Sequence, residues 1–151
     1  MESRVRAALL ALFVLGAAGT GTELLLLEHF EDPWQWTPLV LTGASLTVLG
    51  WHALAPGRAS LGVFRVLMWL FTVGGLVGTG LHYRGNVEFE REMHPEGTWW
   101  ELFRGAMTGA TPALAPGTMI LLGSIGLLYT YRHPALGAPA GLDPTTTEVS
   151  A

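Results

Sequence analysis

The chain has 151 residues, enough for one domain, yet half of it is apolar and only 13% is charged, against about a quarter in an ordinary soluble domain. Its net charge of −4 excludes the basic surface that nucleic-acid binding needs. The absence of cysteine excludes disulfides, thiolate metal sites and cysteine nucleophiles. The composition points to lipid as the solvent.

A membrane span needs about 20 mostly apolar residues, and in lipid it must be helical so that every backbone polar group finds an internal partner. The first such stretch is 5–27. Its start, with Arg4 and Arg6 before an apolar run and the small residues "GAAGTG", also fits a signal peptide. The apolar character continues through "ELLLLEHF", past any cleavage point, so a span is the reading adopted. Within it lies Glu23, about 9 Å along the helix from His29. An acid at that depth is costly and is a functional candidate by default. The span ends at Glu28 and His29, followed by Glu31 and Asp32.

The second span is expected at 38–55, with His52 near its inner end and placed to hydrogen-bond a neighbouring helix. The third is 61–83. On one of its faces Gly74, Gly78 and His82 recur every four residues, which suits close helix packing and also leaves room for a flat macrocycle beneath an imidazole.

Residues 84–111 form an outer cap. The stretch "VEFEREMH" reads equally as a strand with Glu88, Glu90, Glu92 and His94 on one face, or as a helix pairing Glu90 with His94. In "TWWELFRGAM", Thr98 and Glu101 fit a capping box, opening a short amphipathic helix suited to the headgroup region. A fourth span, 112–131, follows. His133 lies just beyond it, and with His52 it forms the alternative of a second site at that end. The tail 137–151 has little to bury and is expected to be disordered.

Arg4, Arg6, Arg58, Arg65 and Arg132 fall on one side of this arrangement, and Arg84, Arg91 and Arg104 on the other. The excess places both termini in the cytoplasm, with a bacterial inner membrane as the expected location. The expected fold is therefore all-α: an integral membrane four-helix bundle with an extracytoplasmic cap.

Three of the five histidines and most carboxylates then share the outer face. Imidazole with carboxylate suits Zn²⁺, Fe²⁺ or Mn²⁺. The candidate ligands are Glu23, Glu28, His29, His82, Glu90 and His94, with Glu28 and Asp32 on a common helical face. Haem b held by His29 and His82 is the competing cofactor. Three function classes follow: a transition-metal or redox-cofactor site at the outer face, a noncatalytic subunit of a larger membrane complex or of a homo-oligomer, and proton or cation movement through Glu23. No phosphate-binding loop and no G-x-S-x-G elbow is present, so nucleotide hydrolysis and serine acyl transfer have no support.

Overall fold

The computed structural model describes residues 2–109 and 113–137, and these contain helices and turns with no strand. Helix α1 (Glu2–Leu26) leads through a 3₁₀ turn (Pro33–Gln35) into α2 (Trp36–Leu54). Helix α3 (Arg58–Met93) is the longest element, at 36 residues. The shorter α4 (Trp99–Thr108), α5 (Gly117–Thr130) and α6 (Pro134–Gly137) complete the chain. By length and composition three helices could cross a membrane, Ser3–Leu26, Pro33–Leu54 and Arg58–Met93; α5 is apolar but shorter.

Several boundaries differ from those the hydropathy suggests. The ambiguous segment after Tyr83 is helical, so α3 runs ten residues beyond the expected end of its span before His94 caps it through a bond to the Glu90 carbonyl. The fourth apolar stretch becomes helical only at Gly117, after the turn Ala113–Pro116. Pro116 occupies its N-cap, since a proline lacks the N–H an interior position would use. Residues 110–112, which include the expected start of that span, and the tail beyond Gly137 lie outside the described residues.

Helix α1 stops two residues before Glu28. The His29 N–H donates to the Leu24 carbonyl (2.9 Å) and the Glu28 N–H to the Leu25 carbonyl (3.2 Å), with Glu28 left-handed at φ 52°. This is a Schellman ending, in which glycine usually holds the left-handed position. It also turns Glu28 out of the helix, so Glu28 and Asp32 share no helical face, contrary to the expectation from their spacing. The left-handed strain of about 1–2 kcal/mol exceeds the roughly 0.4–1 kcal/mol of chain freedom a glycine adds to the unfolded state. Glu28→Gly is therefore expected to stabilise the fold by about 0.5–1 kcal/mol, measured as a raised unfolding midpoint in detergent.

Helix α3 lies centrally, packed against α5, α2 and α4, while α1 packs against α5 and α2. The core is aromatic. The Phe13 ring of α1 meets Phe64 edge-on at 5.2 Å and Phe71 at 6.0 Å, and Phe64 meets Tyr129 of α5 at 6.0 Å. Around it α3 and α5 approach through glycine. A Cβ on Gly75 would stand 2.9 Å from the Ile120 nitrogen and the Pro116 oxygen, and one on Gly123 would stand 2.7 Å from the Met68 oxygen. Each helix thus rests on the other's backbone, the close contact that small residues permit between helices. In α2 the buried hydroxyls of Thr42 and Ser45 have no hydrogen-bond partner among the described residues; we have no physical account of them.

Helix α4 folds back onto the C-terminal end of α3. Ala106 is fully buried, and the buried Asn86 donates from Nδ2 to the Ala106 carbonyl at 2.8 Å. Gly105 and Gly109 lie against the Glu90 and Asn86 side chains. The capping box forms as its spacing suggests: the Glu101 carboxylate accepts from the Thr98 N–H and hydroxyl at 2.8 Å each, and the Thr98 oxygen accepts from the Glu101 N–H at 3.4 Å. Trp99 and Trp100 remain largely exposed, stacked with Phe103.

Candidate functional site

A groove of about 870 Å³ lies between the 27–35 connection, α2, α3 and the start of α5. One end carries His29, Asp32, Gln35 and His82. The remainder is apolar apart from Thr37, with Leu70, Val73, Val77 and Leu81 in sequence along α3, faced by Leu41 and Met119. Gly74 and Gly78 form part of its wall. The histidine-and-glycine face of α3 noted in the sequence therefore opens onto this groove. Gly78 lies close to Pro116, whereas a Cβ on Gly74 would meet only the side chains of Leu41, Met119 and Thr37, at 3.8–3.9 Å.

His29 reaches the groove because the chain around it is fixed twice. The Schellman turn sets its backbone on one side. On the other, Asp32 Oδ1 accepts from the Trp34 N–H at 2.8 Å, while Gln35 Oε1 accepts from the Glu31 and Asp32 N–H groups at 2.8 and 3.2 Å. The segment "DPWQ" is thus a second capping box with proline at its first helical position. That signal in the sequence would have identified Asp32 and Gln35 as part of the rim. Burial, and then the nearby His82, push the His29 pKa below its ordinary value. A neutral imidazole, with one N–H donor and one acceptor nitrogen, is the form favoured near pH 7.

The six candidate ligands do not share one place. His29 and His82 line the groove; Glu90 and His94 line a separate cavity of about 650 Å³ under the α3–α4 turn, together with Glu96, Glu101 and Arg104. Glu23 is exposed on α1 and Glu28 is exposed at its turn; neither lines either cavity. Among the described residues no three His, Asp or Glu side chains are placed to hold a metal ion. In the second cavity Glu101 is committed to its cap, and the two bonds from Thr98 hold its pKa below the usual carboxylate value.

At the opposite end of the helices His52 and His133 approach each other, with ring centroids 6.3 Å apart. The Ser60 hydroxyl donates to the Gly57 carbonyl at 3.1 Å, so the His52 Nδ1–H is left to donate to Ser60 Oγ at 2.7 Å. His52 thereby bonds a neighbouring helix, as its position suggests. His133 Nδ1 accepts from the Ala135 N–H at 3.3 Å, and burial, Arg6 and His52 lower its pKa. Arg6 donates to the Arg132 carbonyl at 3.1 Å, tying α1 to the end of α5. This inner pair is accounted for by structural bonds.

No protein-family model, curated protein or solved structure matches the chain.

Proposed function

We propose that the chain is an integral membrane protein in which α1, α2, α3 and α5 form a four-helix transmembrane bundle, and that its outer groove holds an organic redox cofactor at His29 and His82. The arginine distribution supports cytoplasmic termini and an inner-membrane location. It puts the groove's polar end and the α3–α4 arm outside, with the aromatic face of α4 at the headgroups.

The observation that carries this reading is the meeting of His29, His82, Gly74 and Gly78 in one groove. Two imidazoles suffice to ligate haem b axially or to hydrogen-bond a flat carbonyl-bearing ring. A bare Zn, Fe or Mn ion asks for three or four protein ligands, and although Asp32 lies at the same end as the two histidines, no three such side chains among the described residues are placed to hold one. Movement of protons through Glu23 has less support, because Glu23 stands apart from both cavities.

The detergent-purified protein is expected to carry haem or an extractable organic cofactor at about one per chain, seen in the visible spectrum and in a solvent extract. The His29→Ala/His82→Ala double variant is expected to lose it while keeping its helical circular dichroism. Protein that holds neither and takes up neither when supplied would sink the proposal. A noncatalytic subunit would then be the better reading, because Phe89, Met93, Trp99 and Trp100 are exposed on the outer arm and offer an apolar surface to a neighbouring membrane subunit or a second copy.

A further inference from the structure

Resting on the reading of the groove as a cofactor site, we infer that its occupant is a lipid-soluble quinone, with its ring at the His29–His82 end and its tail along Leu81, Val77, Val73 and Leu70. Three observations lead there.

The first is polarity along the groove. The charged, amide and imidazole side chains are gathered at one end, and the walls below are apolar apart from Thr37, which turns its methyl toward Gly74. From His82 to Leu70 the helical rise gives about 18 Å. An elongated amphiphile with a small head fits that division, as binding sites commonly pair an apolar lining with a few placed polar groups.

The second is charge. Among the described residues lining the groove none is Arg or Lys, and Asp32 is the formal charge at its head. Haem brings two propionates and a phospholipid brings a phosphate. Either anion would be set beside a carboxylate without a cation to balance it, which is unfavourable in a low-dielectric site. A quinone head is neutral. Its two carbonyl oxygens are acceptors, which neutral imidazole N–H groups can satisfy, and burial favours that neutral form at His29.

The third is access. Leu70, Val73, Val77 and Leu81 each line the groove and are also about half exposed on the outer surface of α3. The groove is open on its side, along the surface that the proposed bundle turns to lipid. A hydrophobic ligand dissolved in the bilayer can enter there without crossing water.

The test uses the full chain in detergent, stripped of co-purified lipid and titrated separately with decylubiquinone, hemin and phosphatidylglycerol. Decylubiquinone is expected to saturate at one per chain. His29→Leu and His82→Leu should each weaken it about tenfold, the effect of one lost buried hydrogen bond. Gly74→Leu directs its side chain toward Leu41, Met119 and Thr37, which also line the groove, and it should abolish saturable binding while the helical circular dichroism is kept. Gly80→Leu, where a Cβ has nothing within 4 Å, should leave binding intact and so controls for a glycine replaced in the same helix.

Quinone binding that does not saturate, or that survives Gly74→Leu, overturns the assignment. Hemin bound with a Soret band that needs His29 and His82, and no quinone bound, overturns the quinone but keeps the cofactor reading. Displacement of the quinone by equimolar phosphatidylglycerol overturns the argument from charge. Binding of neither hemin nor quinone overturns both readings.

Discussion

Gly123→Ala is expected to destabilise the protein by about 1–3 kcal/mol, the usual cost of overpacking a well-filled contact. The added methyl would stand 2.7 Å from the Met68 carbonyl oxygen and 2.9 Å from the Thr72 nitrogen. Both are backbone atoms of α3, so no rotamer change relieves the overlap, and α5 must move away as a unit. The loss outweighs the gain of up to about 1 kcal/mol that alanine brings through helix propensity. Gly80→Ala is the matched control: with open space at its Cβ, it should show that propensity gain alone. Unfolding by denaturing detergent, followed by circular dichroism, measures both. Equal midpoints for the two variants would mean that α3 and α5 do not touch through Gly123.

Phe64→Ala should cost about 2–3 kcal/mol, less than the roughly 3–5 kcal/mol typical of a water-soluble core. Phe64 is fully buried and its ring meets both Phe13 and Tyr129, so truncation removes the link between α1, α3 and α5. In the proposed membrane setting the lipid is as apolar as the core, and the transfer part of the usual penalty largely vanishes. What persists is the cavity and its lost dispersion contacts. The unfolding midpoint is the readout. A loss well under 1 kcal/mol would indicate that neighbouring side chains collapse into the space.

These two positions show what was legible in the sequence. Hydropathy located the three long helices, because the apolar runs are long enough to stand alone as signals. It set the end of the third span at Tyr83 and left the next segment open between strand and helix. The stretch "NVEFEREM" is helical and α3 continues to Met93. Hydropathy does not encode that outcome, because it reports which solvent a segment prefers and not where a helix ends. The four-residue recurrence of Gly74, Gly78 and His82 correctly described one face of α3. It pointed to Gly74 for packing, yet the closest backbone approach belongs to Gly75 and Gly123, since helix rotation is set by tertiary contacts that spacing does not encode. Equal depth made His29 and His82 candidates for a pair; the Schellman turn and the "DPWQ" cap bring His29 to the groove. The turn itself was hidden, because Glu28 occupies a position where glycine would have announced it. Glu90 and His94 do share a cavity, while Glu28 was displaced by the same turn. A ligand set assembled from depth alone therefore divides, with His29 and His82 in the groove, Glu90 and His94 in the second cavity, and Glu23 and Glu28 in neither.

If the chain spans a membrane as proposed, the shortness of α5 has a consequence for the bilayer around it. Fourteen residues rise about 21 Å, against a hydrocarbon thickness of about 30 Å, while α3 exceeds that thickness. In a membrane such a flank imposes hydrophobic mismatch, relieved by local thinning of the lipid on that side. The missing length falls at the Ala113–Pro116 turn, and Pro116 is also a wall of the groove. In the proposed membrane setting, headgroups and water would be drawn inward beside His29 and His82, and protons would reach a ring held there from the thinned edge rather than through the centre of the bundle.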